Sequence, residues 1–142
     1  MNREAIATAL FNLVKTAPGL VTSSRRLKHW SDVPTAEQPA LFQAQGKEVL
    51  DTSTQKLGGP AVHRLNFEIY LYVKSTDPLA SPATVLNPLL DAVEAALTPT
   101  LGTKQTLGGL AQHAFISGSI ETDEGTLGDQ AVAIIPVEVL AV

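Results

Sequence analysis

The sequence of 142 residues predicts a single α+β domain, residues 1–142. We expect a two-layer sandwich in which two helices pack on one face of a mainly antiparallel sheet of four to five strands. A strand pattern and two helix patterns predict this class. In residues 64–74 apolar side chains occupy every second position, as in a half-buried strand: Leu65, Phe67, Ile69, Leu71 and Val73. Amphipathic segments at 3–15 and 81–97 supply apolar stripes able to cover that side.

The two helices have recognisable start and stop signals. The helix at 3–15 is followed by Pro18 and a glycine, which end helices. The second helix opens with Ser81 as its cap and Pro82 at its first position. Pro88 lies inside its apolar stripe and removes one helical hydrogen bond. We therefore expect either a kink there or a restart of the helix.

The remaining apolar segments predict strands at 20–28, 39–45, 62–74, 112–121 and 131–142. The segment 46–60 loses the alternation and is polar and glycine-rich. It predicts a long hairpin, of a length that is uncommon unless it makes contacts. Pro136 indicates that the last strand is an edge strand or contains a bulge. An exposed edge would favour pairing with another chain.

Composition excludes several classes of function. The chain has no cysteine, which rules out disulfides and cysteine-ligated metal sites. Its net charge of −4 argues against a general nucleic-acid binder. The sequence shows no signal-peptide hydrophobic region and no apolar run of the ~20 residues that span a bilayer. We expect a protein that does not interact with membranes.

Charge is distributed unevenly along the chain. Residues 1–71 carry eight basic and six acidic side chains, whereas residues 72–142 carry two basic and eight acidic ones. Oppositely charged halves are suited to contacts between neighbouring copies. The same charges can also simply intermix on the surface of one copy.

A basic and aromatic cluster lies at Arg25, Arg26, Lys28, His29 and Trp30. The basic side chains of such a cluster can bind phosphates, and its aromatic rings can stack on nucleic-acid bases. It can equally be a loop whose tryptophan fills the edge of the core while the arginines pair with acids. A protein–protein contact is the third interpretation, because Trp and Arg are frequent interface anchors.

An acidic cluster comprises Glu121, Asp123, Glu124 and Asp129. Hard cations require several oxygens around one point, so this turn is the candidate site for a small metal-dependent enzyme. Its spacing does not match a calcium loop, and a solvated turn also explains it. The three histidines are far apart, and no nucleophile, base and oxyanion donor come together in sequence. We expect no catalytic site, no cofactor and no metal.

Seven segments, which together extend over nearly the whole chain, carry a family resemblance: Ser24–Trp30, Glu37–Phe42, Tyr70–Tyr72, Pro78–Pro82, Leu89–Leu97, Glu121–Gly125 and Ala133–Val137. They resemble the tail terminator proteins of long-tailed bacteriophages. The family is similar to the lambda-type terminator, a small α+β subunit that forms a hexameric ring. The resemblance implies a ring that caps the tail tube, stops its growth and offers the surface to which the head connector attaches.

The resemblance also implies partners and a location. The expected partners are copies of the chain itself, the tail tube protein and the head–tail connector or neck protein, with DNA passing through the lumen without specific binding. The protein would be assembled in the host cytoplasm and reside at the tail–neck junction of the virion. A tail tube or neck subunit is the alternative within the structural class. Candidate interface residues are Arg25, Arg26, Trp30, Lys47, Lys56, Asp123 and Glu124.

Overall fold

The computed structural model describes residues 1–124 and 128–142. Two helices and six strands make up an α+β fold: α1 (Arg3–Val14), β1 (Thr22–Ser24), β2 (Ala40–Asp51), β3 (Val62–Lys74), α2 (Ala83–Leu97), β4 (His113–Ile116), β5 (Glu121–Asp123) and β6 (Gln130–Ala141). The open sheet has the order β1-β2-β3-β6-β4, and β5 also pairs with β6. Only the β1–β2 pair is parallel within the described sheet. The predicted class is confirmed, with six strands in place of four to five.

Strand β3 is the centre of the sheet because it pairs with β2 on one side and β6 on the other. Its alternating apolar side chains are buried, as the sequence predicts; Phe67 and Ile69 are 1% and 0% exposed. They form one core with the buried stripes of α1 and α2, which include Ile6 and Val93. Both helices therefore lie on the same face of the sheet, and the opposite face is here called the outer face.

The prediction of a hairpin at 46–60 was wrong in its extent. Strand β2 continues to Asp51, and only residues 52–61, here called the hairpin tip, connect it to β3. Polar and glycine residues interrupt the alternation of apolar and polar side chains in this part of β2, so the sequence pattern does not predict it as a strand. Hydrogen bonding to β3 nevertheless keeps the segment extended, because the backbone groups of β3 need partners along its whole length.

A β-bulge interrupts the register of this hairpin. Between the pairs Gln45–Phe67 and Glu48–Leu65, β2 has two residues where β3 has one. The amide nitrogen of the intervening Asn66 side chain donates to the carbonyl oxygen of Lys47 at 2.8 Å. One extra residue reverses the alternation of faces. The bulge therefore turns Glu48 towards the helices.

The predicted strand at 20–28 is wrong beyond its first half. Only Thr22–Ser24 pairs, in parallel with the start of β2. The chain then leaves the sheet edge and forms two short 3₁₀ turns, Trp30–Asp32 and Thr35–Glu37. Since Val33 is 3% exposed, this loop covers part of the outer face.

The predicted strand at 112–121 is divided into β4 and β5. Both pair with β6, and Gly118 with φ +96° lies in the break between them. The break faces Pro136, whose carbonyl oxygen accepts from the Ser117 N–H at 3.0 Å, while its ring nitrogen has no hydrogen to donate. The sequence left an edge position and a bulge as alternatives for the last strand, but β6 pairs with β3 in continuous register through Pro136, and the irregularity lies between the neighbouring strands β4 and β5. The predicted edge position is wrong, because β6 lies between β3 and β4/β5.

Helix α2 runs through Pro88 as one element and does not restart there. Its start follows Pro82, which already has helical backbone angles of φ −55° and ψ −26°. In the part of the chain that the structure describes, no helix has the length and apolar character needed to cross a bilayer.

Candidate functional site

The outer face carries an apolar groove that the helices do not cover. Its floor consists of Tyr70 and Tyr72 on β3 and Val132 and Ile134 on β6, and residues 27–30 form its wall. The groove has a volume of about 360 Å³. We call it the outer groove.

Register explains why these four floor residues lie together. Tyr70 pairs directly with Ile134, and Tyr72 with Val132. Paired residues of antiparallel strands point to the same face, so the two tyrosines and the two aliphatic side chains form adjacent rows. The tyrosine rings lie 6.4 Å apart at an interplanar angle of 63°, an edge-to-face contact that stabilises both orientations.

A second, smaller core holds the wall of the groove in place. Val33, Phe42 and Tyr72 are buried together on the outer face, with Trp30 partly buried against them. The Tyr72 hydroxyl donates to the carbonyl oxygen of Lys28 at 2.7 Å, and burial raises the pKa of this phenol. The loop is therefore attached to the sheet by both packing and a hydrogen bond.

Acidic side chains surround the floor. Glu121 pairs with Ile134 and Asp123 with Val132, which places both acids on the outer face beside the groove. Glu68 lies next to Tyr70, and the hydrogen bond from the Tyr70 hydroxyl to Glu68 raises the pKa of that tyrosine to about 12. Lys28 in the wall is the opposing charge. The rim of the groove is acidic on balance.

The end of the β2–β3 hairpin away from the outer groove carries charged side-chain contacts instead of an apolar floor. The Arg3 guanidinium of α1 binds both carboxylate oxygens of Glu48, at 2.8 and 2.9 Å. His63 Nδ1 lies 2.6 Å from the same carboxylate. These contacts tie α1 to the distal half of the hairpin and hold the pKa of Glu48 down at about 2, chiefly through the hydrogen bond from Arg3. Beyond them, Leu57 in the hairpin tip is 89% exposed.

The candidate interface residues fall into several separate places. Trp30 borders the outer groove, and Asp123 lies on β5 beside it. Lys47 and Lys56 are exposed at the far end of the hairpin. The structure thus brings two of the predicted residues to the outer groove and places two others at the opposite end of the same strands.

Three other candidates differ in their surroundings. Arg25 binds the Glu4 carboxylate of α1, and this contact lowers the pKa of Glu4 and raises that of the arginine. Arg26 is exposed. Glu124 accepts from the Ser81 hydroxyl at 2.6 Å and from the backbone N–H of Ala83 at 3.2 Å. Arg25 and Glu124 thus have structural partners within the chain.

The acidic turn does not converge on one point in the described part of the chain. Glu124 faces the start of α2, whereas Asp129 pairs with Lys74 at 3.3 Å. Across residues 1–124 and 128–142, no three His, Cys, Asp or Glu side chains are grouped as metal ligands would be. Residues 125–127 of the predicted turn lie outside the described residues.

Solved structures of other proteins share this fold. One is a chain of a structure described as "Virion of native gene transfer agent (GTA) particle", with a TM-score of 0.56 and 11% identity over 96% of this chain and 94% of that one. Another has a TM-score of 0.51 and 20% identity over 99% of this chain and 93% of that chain. No protein-family model and no curated protein sequence matches the chain. At these identities the likeness establishes the fold, over nearly the full length of each chain.

The outer groove was not predicted from the sequence. The alternation in residues 64–74 places Tyr70 and Tyr72 on the face opposite the apolar row, and Ile134 falls within the strand predicted at 131–142. The available signal was the pair of large aromatic rings on a nominally polar face, since aromatic residues are enriched where surfaces bind partners. Which loop would lie against them depends on the tertiary fold.

Proposed function

We propose that this chain is a virion structural protein of the tail terminator type. In this proposal copies of the chain assemble into a hexameric ring that caps the tail tube, ends its polymerisation and provides the surface that joins the head connector. The observation that carries the proposal is the full-length fold similarity to a chain of the gene transfer agent virion. The sequence resemblance to tail terminators agrees with it in class.

The arrangement of surfaces supports assembly into a ring. A ring built from identical subunits needs two different patches per copy that meet head to tail. The outer groove and the hairpin tip are two such patches, at opposite ends of the same hairpin. Because they lie at opposite ends of β3, the two patches are far apart within one copy, and each is available to a neighbouring copy.

The charge of the chain suits the proposed lumen. With a net charge of −4, a ring of this protein repels the DNA backbone on average. DNA then slides through without sticking, because nonspecific affinity for DNA depends on cations that neutralise phosphates. This supports passage of DNA without specific binding.

The decisive experiment is removal of the gene from the phage that carries it. We expect tails of abnormal length that do not join heads, and restoration of both by the gene supplied in trans. Tails of normal length that join heads would contradict the proposal. Light scattering on the purified protein, alone and with tail tubes, then measures the assembly itself.

The same light-scattering measurement separates a terminator from a tail tube or neck subunit. A terminator closes at a finite mass, whereas a tube subunit polymerises without limit. The enzyme alternative is tested by adding a divalent cation: a rise in melting temperature that disappears when Asp123, Glu124 and Asp129 are replaced would favour it. We expect no such rise.

A further inference from the structure

The hairpin tip presents an exposed apolar side chain, Leu57. Leu57 ends the 3₁₀ turn Gln55–Leu57 and is followed by Gly58 with φ +82°. Leu57 as a residue is 89% exposed, which costs hydrophobic free energy unless a partner covers it. Lys56, directly beside it, is the one charged residue between positions 52 and 61.

The outer groove has the complementary properties. Its floor is apolar, and Glu68 and Glu121 lie on the same face next to it. The two features cannot meet within one copy. The floor residue Tyr70 is eight positions along β3 from Val62, where the hairpin tip ends, which corresponds to about 26 Å at about 3.3 Å per residue.

We propose that the hairpin tip of one copy docks into the outer groove of the next. Leu57 enters the space between Trp30 and Ile134, and Lys56 pairs with Glu121 at the rim. This contact is heterologous, with donor and acceptor at opposite ends of each subunit, and it therefore propagates around a ring. The charges orient the approach and the apolar insertion provides most of the affinity. The inference rests on the proposed assembly and names the surfaces that make it.

Engineered cysteines test the contact directly, because the chain has no cysteine of its own. In the double variant Leu57→Cys/Ile134→Cys the two Cα atoms of one copy are much farther apart than the roughly 7 Å that a disulfide allows. Any bridge must then join two copies. We expect a ladder of covalent oligomers under oxidising conditions, up to the full ring, and its disappearance on reduction.

The matched control is Leu101→Cys/Ile134→Cys, in which the partner is another fully exposed leucine outside the hairpin. It should give far less ladder at the same concentration. Equal ladders from both variants, or only monomers from the test variant in samples where the wild type forms rings, would overturn the docking proposal.

A second set of variants leaves the apolar floor of the groove intact. Leu57→Asp should raise the concentration needed for half-maximal assembly by about tenfold or more, whereas Leu101→Asp should leave it unchanged. Lys56→Glu should weaken assembly, and Lys56→Glu combined with Glu121→Lys should restore it. The matched control is Lys104→Glu, at an exposed position outside the hairpin, for which we expect no effect.

These outcomes separate this proposal from the proposed function. If the wild type assembles and Leu57→Asp assembles equally well, the docking is wrong while the ring stands. If the wild type stays monomeric at high concentration, alone and with tail tubes, the ring and the docking both fail. Restoration by the charge swap would establish the pairing of Lys56 with Glu121.

Discussion

Glu48 offers the sharpest test of the contacts between the helix layer and the hairpin. Its carboxylate accepts two hydrogen bonds from Arg3 and lies 2.6 Å from His63 Nδ1. Glu48→Gln preserves the size of the side chain and removes its charge. We expect the variant to be less stable at neutral pH, because a bidentate, charge-assisted pair becomes a weaker neutral one.

The magnitude follows from the pKa of this group. Arg3 and His63 lower it from 4.5 to about 2, and at about 1.4 kcal/mol per pH unit the ceiling is about 3 kcal/mol. The Glu48 side chain is 22% exposed and that of Arg3 51%, so solvent screens much of the pair. We therefore expect a loss of about 1 kcal/mol at pH 7.

The dependence on pH has a defined sign. Because the folded-state pKa of Glu48 is depressed, its stabilisation is fully present above the unfolded pKa of about 4.5 and is lost as pH falls towards 2. At pH 3 about two-fifths of it remains. Arg3 is charged throughout this range, so the change reports the titration of Glu48.

Urea denaturation of the wild type and Glu48→Gln at pH 7, 5, 4 and 3 measures the difference. Glu94→Gln, at an exposed position on α2, is the matched control and should differ little from the wild type at any pH. A stability gap between the wild type and Glu48→Gln that is absent at pH 7, or that stays constant down to pH 3, would refute the reasoning.

Three further substitutions test other parts of the fold by the same denaturation assay. Phe67→Ala removes a ring that is 1% exposed and should cost about 3–5 kcal/mol; a loss below 1 kcal/mol would contradict its place in the core. Glu124→Ala removes one of the two acceptors of the Ala83 N–H at the start of α2, the other being the Ser81 hydroxyl, and should cost about 1 kcal/mol; no loss would indicate that this contact contributes nothing. Pro88→Ala restores a helical N–H that can donate to the carbonyl of Thr84, at an exposed position inside α2, and should stabilise the protein by about 1 kcal/mol. A destabilised Pro88→Ala variant would show that the ring makes a contact worth more than the missing hydrogen bond.

The fold could be predicted wherever one face of an element is uniformly buried. Strand β3 and helix α1 carry their apolar residues at the period of their own geometry, and the observed bounds Val62–Lys74 and Arg3–Val14 lie close to those expected. Prediction failed in the distal half of β2, where pairing with β3 keeps a polar segment extended. It also failed at the break between β4 and β5, which lies opposite Pro136 of the neighbouring strand.

The candidate site was less predictable than the fold. Trp30 and Asp123 were singled out for their residue type, and both lie at the outer groove. Tyr70, Ile134 and Leu57 were not singled out, because each belongs to a site only through its position relative to other elements. Residue type marks which side chains can bind, whereas strand register determines which of them lie together.

The sequence by itself determined the two layers, because the apolar face of β3 and the apolar stripes of the helices can be buried only by packing against each other. It also determined the uneven charge and the absence of cysteine chemistry. Tertiary structure alone decided that β6 lies inside the sheet, that Glu48 turns towards α1 at a bulge, and that the loop around Trp30 closes a groove on the outer face. The physical reason is that periodicity is a local property of the chain, while register and loop placement depend on hydrogen-bond partners far away in sequence.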